Sequence, residues 1–138
     1  MSDVVVREGR ADDGPALRRL LAEAMGEPDA DTDAILPDDS GEVVFVAELR
    51  GHPAGYAAAR VEGPVLVVDR VMVAPADRGR HVGHRLLDWL EGYGVSRGLV
   101  RVRIAVERGN RAAEDFYARR GYAECPDGVE RDLPHVDE

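Results

Sequence analysis

The chain has no lysine: all 18 of its cationic side chains are arginines. It has one cysteine, Cys125, which excludes an internal disulfide and a multi-cysteine metal centre. No run of about 18 apolar residues occurs, so no segment reads as a membrane-spanning helix. The first residues, Met1-Ser2-Asp3-Val4-Val5-Val6-Arg7, lack the basic start and apolar centre of a secretory signal. A cytoplasmic address is the expectation from these absences. Positive charge is also short in sum. The formal net charge is −9, and a nucleic-acid partner needs a basic face, so none is expected.

What remains is a chain of 138 residues, the size of one domain with a real core. Val4-Val5-Val6 reads as a first strand. Asp12-Asp13-Gly14-Pro15 reads as a helix start, with acids at the positive end and proline near the first turn. Leu17, Leu20, Leu21 and Ala24 then keep helical spacing. Residues 26–41, rich in Gly, Pro and Asp, read as a loop or one short helix. Val43–Leu49 and Ala54–Val61 form a hairpin about Arg50-Gly51-His52-Pro53. Val65–Val73 is a long β-branched strand interrupted by Asp69-Arg70, with Pro75 beyond it. Leu86, Leu90 and Tyr93 make a helical stripe that runs from Gly83 and stops at Gly98. Leu99–Val106 is another strand. Asn110 opens a helix with Ala113, Phe116 and Tyr117 inward, closed at Gly121. Short strands near Tyr122 and at Val129–Leu133 follow. This order implies a mixed sheet with helices on its faces.

The segment from Val71 to Leu87 is the most informative. It reads as strand, basic glycine-containing turn, helix. The first turn of a helix leaves N–H groups without partners at the positive end of the dipole, which suits an anion. Glycine lets backbone approach a phosphate closely. Arg78, Arg80 and Arg85 stand with no acid between them in an otherwise acidic chain. A solvated strand-to-helix loop fits the same residues. A dinucleotide or Walker-type loop does not, because the three-glycine spacing and the lysine are missing.

Two motifs carry a resemblance. Arg78-Gly79-Arg80-His81-Val82-Gly83 resembles the (Gln/Arg)-x-x-Gly-x-(Gly/Ala) signature of the GNAT superfamily of N-acetyltransferases. The segment from Asn110 to Tyr122 is similar to that family's second motif, Asn-x-x-Ala-x-x-Phe-Tyr-x-x-x-Gly-Phe. Val71-x-Val73-x-Pro75 also looks like the family's fourth strand. The departure is His81, which stands at the middle glycine of the first motif. If that position takes positive φ, histidine tolerates it better than most residues but not freely. His81 and His84 read as helix-start residues, and neither sits in a metal-ligand pattern.

The resemblance implies one N-acetyltransferase domain over residues 1–138. Its fold class is α/β (α+β), with a mixed, mostly antiparallel sheet of six to seven strands flanked by about four helices. It implies acetyl-CoA as donor. Backbone groups of Val71, Met72 and Val73 hold the pantetheine arm. The amides of Gly79, Arg80, His81, Val82, Gly83 and His84, beside Arg78, wrap the diphosphate. Asn110 caps its helix and touches the donor. Tyr117 matches the tyrosine that lies near the sulfur and protonates the departing thiolate, an ordinary phenol near 10 against a thiol near 8.5. A plain core aromatic is the competing reading of Tyr117.

The general base is open. Asp69 interrupts an apolar strand, and parity puts it on the face of Val71 and Val73. An ion pair with a neighbouring arginine is the competing reading, and Glu107 and water are rivals for the role. Cys125 lies outside both motifs and reads as incidental. The acidic residues of 27–42, among them Asp31, Asp33 and Asp38, could steer a cationic amine or be an ordinary solvated loop. Acceptors stay open among small-molecule and peptide amines. Ribosomal-type N-terminal acetylation is disfavoured, because Ala105 stands where that group has glutamate. The resemblance also allows pairing through the C-terminal strands into a homodimer. The alternative from another class is a non-catalytic acyl-CoA-binding or sensing module on the same scaffold. A third is an interaction domain that binds no cofactor.

Overall fold

The β-branched and alternating segments become seven strands: β1 (Val4–Glu8), β2 (Val43–Leu49), β3 (His52–Glu62), β4 (Val65–Val73), β5 (Arg101–Ala105), β6 (Ala123–Cys125) and β7 (Gly128–Asp132). The two periodic stretches become helices α1 (Val82–Ser96) and α2 (Arg111–Arg119). This computed structural model describes residues 4–9, 13, 15, 19, 43–74, 81–106 and 109–134. The expected first helix, apart from Asp13, Pro15 and Arg19, lies outside the described residues. So do the acidic segment 27–42, Pro75, the turn residues Arg78, Gly79 and Arg80, and Glu107.

The strands form one sheet in the order β1-β2-β3-β4-β5-β7-β6. Every neighbouring pair is antiparallel except β4 and β5, which run parallel with α1 in the crossover between them. The sheet of six to seven strands is therefore found. Of the four expected helices, two fall among the described residues.

Both helices end where glycine permits the left-handed conformation. Gly98 has φ 72° and Gly121 has φ 91°. After α1, Gly98 N–H donates to Val95 O and Leu99 N–H to Gly94 O. After α2, Gly121 N–H donates to Ala118 O and Tyr122 N–H to Tyr117 O. This is the paired 5→2 and 6→1 closure of the Schellman motif, and it satisfies carbonyls that the helix leaves over.

Leu86, Leu87 and Leu90 of α1 are fully buried against Phe45, Ala57, Leu66, Val68, Val102 and Ile104 of the sheet. Each such leucine contributes about 1.5–3 kcal/mol by leaving water. The other sheet face carries a separate cluster of Val44, Val46, Tyr56, Ala58 and Ala74, with Met72 packed against it. Along β4, Leu66, Val68, Val71 and Val73 therefore turn towards α1, and Met72 turns away.

Gly55 of β3 lets α1 lie this close. A Cβ there would stand 2.7 Å from Met72 O, 3.0 Å from Val82 Cγ1 and 3.2 Å from Leu86 Cδ1. The first of these is backbone and cannot swing aside. Gly55→Ala is expected to destabilise the fold by about 2 kcal/mol, the usual cost of overpacking, and to displace the start of α1. Urea unfolding checks the first effect, and a parallel loss of donor affinity checks the second.

Candidate functional site

The site begins as a gap in the sheet. β4 pairs with β5 only from Val65↔Arg101 to Val68↔Ile104. Beyond Val68 the edge of β4 that faces β5 has no strand partner among the described residues, while its other edge stays paired to β3 as far as Gly55↔Val73. The N–H and C=O groups on that free edge are available to a ligand. They belong to the stretch that includes Val71, Met72 and Val73.

A bulge re-aims β4 at the gap. The β3–β4 register passes from Ala58↔Arg70 to Ala59↔Val68, so Asp69 has no opposite residue. An extra residue of this kind bends and twists the strand. It also breaks the parity count that set Asp69 on the face of Val71 and Val73. Asp69 Oδ2 accepts from Arg60 Nε at 3.2 Å, and the carboxylate side chain is 34% exposed. The arginine pair, and not burial, is thus what the structure gives Asp69.

The gap opens into two connected lobes. The first, of about 600 Å³, lies between the start of α1 and α2 and is lined by Val71, Val73, His81, Val82, Gly83, His84, Asn110, Ala112, Ala113, Phe116 and Tyr117. The second, of about 530 Å³, is lined by Asp69, Arg70, Val71, Met72, Ala105, Val106, Asn110, Ala113, Tyr117 and Asp127. Val71, Asn110, Ala113 and Tyr117 belong to both. Val71 and Met72, both in the lining of the second lobe, point to opposite faces of the sheet.

Tyr117 stands at the junction. It is 6% exposed, and its ring meets Phe116 and Tyr122 edge-on at centroid distances of 5.3 and 5.6 Å. Its hydroxyl makes no hydrogen bond among the described residues. Burial pushes the phenol up to about 12, against a smaller downward pull from the Arg120 charge. Helix α2 holds this residue in place from its capped start. Asn110 Oδ1 accepts from Ala113 N–H at 3.3 Å, and Glu114 Oε1 accepts from Gly109 N–H at 3.2 Å.

His81 caps α1 with φ 65° and ψ 17°, and its side chain makes no cap hydrogen bond. The positive φ that the motif's glycine is suited to is therefore present here on histidine. A non-glycine residue in this region costs about 1–2 kcal/mol, partly balanced by the extra freedom glycine has in the unfolded chain. His81→Gly is expected to raise stability by about 0.5–1 kcal/mol. His81→Val, β-branched at positive φ, is expected to lower it. Unfolding midpoints of the two variants should move in opposite directions.

His84, in the first turn of α1, packs its ring on Phe116 with centroids 4.7 Å apart. Arg120 Nη1 donates to His84 Nδ1 at 3.1 Å. A guanidinium has only donors, so Nδ1 is the acceptor and the ring proton sits on Nε2. Arg120 Nη2 also donates to Asp88 Oδ1 at 2.8 Å and to Glu91 Oε1 at 3.4 Å. Burial pulls the Arg120 guanidinium down, but the hydrogen bond to Asp88 and the charge of Glu91 outweigh it and hold it above its ordinary value. Tyr122 donates to Glu91 Oε2 at 2.8 Å, and burial with that bond pushes its phenol well up. Arg131 Nη1 closes the cluster by donating to Arg120 O at 2.8 Å. This network ties α1, α2 and β7 together beneath the first lobe.

Of the residues expected at the site, Asp69, Val71, Met72, Val73, His81, Val82, Gly83, His84, Asn110 and Tyr117 line one lobe or both. Arg78, Gly79 and Arg80 lie outside the described residues. Cys125 lines neither lobe. Sequence reading missed Phe116 as a wall of the cleft, Arg70 and Asp127 on the second lobe, and Arg120. Arg120 looks like its neighbour Arg119, and its partners are 29–36 residues away.

The cleft fits an acyl-CoA on three observations. The first lobe meets the open N-terminal turn of α1, which carries no acidic residue. A free strand edge runs along it. Tyr117, whose hydroxyl has no partner among the described residues, lines both lobes. Among the described residues no cluster suits a metal ion, and no helix is long and apolar enough to cross a membrane.

No curated protein is significantly similar in sequence. Solved structures are similar in fold. The ribosomal-protein-S18-alanine N-acetyltransferase from Escherichia coli has a TM-score of 0.80 at 20% identity, over 95% of this chain and 93% of its own. The PaiA N-acetyltransferase from Thermoplasma acidophilum, in complex with coenzyme A, has a TM-score of 0.76 at 14% identity, over 96% and 99%. A nourseothricin acetyltransferase has a TM-score of 0.76 at 23% identity, over 96% and 100%. Residues 14–122 match the model of the acetyltransferase (GNAT) family. With that match across most of its length and with the opened sheet described above, the chain belongs to the acetyltransferase (GNAT) family of acetyl-CoA-dependent N-acyltransferases.

Proposed function

We propose that this protein moves an acetyl group from acetyl-CoA to a primary amine by direct attack, with both substrates bound at once in the two lobes. The observation that carries the reading is Tyr117: a neutral phenol with an unused hydroxyl, buried where the two lobes meet.

Acetyl-CoA supplies the activated thioester. The N–H groups of Val82, Gly83 and His84 hold its diphosphate at the positive end of α1. The free edge of β4 at Val71–Val73 orients the pantetheine arm, and a backbone N–H there donates to the acetyl oxygen. The second lobe brings the amine to the opposite side of the gap, so position supplies much of the rate. Tyr117 donates its hydroxyl proton towards the departing sulfur. Asp69, on the second lobe, is the candidate to take the proton that the amine must lose. No protein nucleophile takes part.

Calorimetric titration with acetyl-CoA, followed by thiol release across a panel of amines, tests this reading. Binding with turnover supports it. Binding with no turnover on any amine points to a sensing module, and no binding removes both readings. For Asp69→Asn we expect the rate at neutral pH to fall about tenfold. Retention of the parent's rate assigns that proton to water.

A further inference from the structure

Among the described residues, five arginines have side chains that make no ion pair, hydrogen bond or ring contact: Arg19, Arg70, Arg85, Arg111 and Arg119. Four of them are exposed. Arg70 is the one that is partly buried, and it lines the second lobe. Its guanidinium donors have no partner among the described residues, so they are open to an incoming anion. An anion arriving beside it recovers two parallel charge-assisted hydrogen bonds.

The neighbouring carboxylate does not neutralise it. Asp69 is engaged by Arg60 at 3.2 Å. The same lobe is also lined by Asp127, in the turn between β6 and β7. Neither Arg70 nor Asp127 has a charged partner among the described residues, so the lining of the lobe includes one open cation and one open anion.

From this pairing we infer that the acceptor is an amine that also carries a carboxylate, an amino acid or short peptide, whose carboxylate sits on Arg70. The inference rests on the reading of this cleft as an acetyltransferase site. A single guanidinium matches the single charge of a carboxylate. A phosphate dianion would leave excess negative charge in a lobe that already holds Asp69 and Asp127. Asp127 receives the ammonium on arrival, and the amine then lies on the Tyr117 side of the lobe.

The test compares acceptors that differ only at the acid: α-amino acids, their amides and the matching simple amines, with an aminoalkyl phosphate as a further arm. The wild type is expected to favour the acids over the amides by ten- to hundredfold in kcat/KM, the usual span for a hydrogen bond to a charged group. In Arg70→Gln that ratio falls towards one, and in Arg70→Asp it inverts. Arg119→Gln, at an exposed unpaired arginine, keeps the wild-type ratio. Equal turnover of acids and amides by the wild type overturns the carboxylate site while leaving acetyl transfer intact, and so does a preference for the phosphate. Failure to bind acetyl-CoA removes the underlying reading. If acetyl-CoA binds and no amine turns over, N-acetyl amino acids and N-acetyl amines are titrated into the coenzyme A complex. Tighter binding of the acids that Arg70→Gln abolishes supports the site, and its absence overturns it.

Discussion

Replacing Tyr117 with phenylalanine is expected to lower kcat by about ten- to hundredfold and to leave acetyl-CoA affinity within about twofold. The substitution is unusually clean. The edge-on contacts with Phe116 and Tyr122 belong to the ring, which phenylalanine keeps. The hydroxyl makes no hydrogen bond among the described residues, so its removal breaks none there. Stability should therefore hold, because the hydroxyl lines the cleft and is not a buried unsatisfied group. Any loss of rate then reports on chemistry.

Burial sets the size of that loss. With the phenol pushed up to about 12, handing a whole proton to a thiolate near 8.5 is uphill by roughly 5 kcal/mol. That is a poorer match than the ordinary phenol value implies. The hydroxyl is better suited to a hydrogen bond that strengthens as the sulfur gains charge, an effect on the scale of one oriented donor. It also follows that Tyr117 imposes no limb on the pH–rate profile through the neutral range. Steady-state kinetics with a good acceptor measure the kcat ratio, and calorimetry measures donor affinity. An unchanged kcat removes Tyr117 from the reaction.

Local signals were legible in the sequence because each is settled within a few residues. Gly98 and Gly121 mark both helix ends, since only a left-handed residue lets the Schellman bonds close. Asn110 caps α2 through a bond to a residue three positions on. The strand-turn-helix signature placed the cleft. Features that depend on register or distant partners were hidden. Parity assigned Asp69 a face, but parity counts only along an unbroken ladder, and the bulge inserts a residue at that very point. The composition offers no means of choosing which of 18 arginines binds what. Arg60 reaching Asp69, Arg120 reaching His84 and Arg70 left open all follow from tertiary contacts. His81 lies between these cases: the sequence shows the departure from glycine, and only the backbone shows the positive φ.

Placing a carboxylate at the start of α1 should separate stability from function most sharply. Gly83→Asp is expected to weaken acetyl-CoA binding by more than a hundredfold while raising the unfolding free energy by about 1 kcal/mol. There is room for the side chain: a Cβ at this position would stand 3.5 Å from Phe116 Cζ and 3.9 Å from Val73 Cγ2, ordinary contact distances. The first turn of α1 carries no acid, so an aspartate there meets an uncompensated dipole and removes a flexible glycine from the helix. Both effects favour the fold. The same charge opposes a diphosphate at the same N–H groups. Two unit charges about 5 Å apart in an effective dielectric of about 20 repel by roughly 3 kcal/mol, which alone exceeds a factor of a hundred. Gly83→Asn carries nearly the same bulk without the charge and divides the loss into its steric and electrostatic parts. A stabilised Gly83→Asp protein that still binds acetyl-CoA at the parent's affinity means that the diphosphate does not lie at this helix end, and the assignment of the first lobe to the donor fails with it.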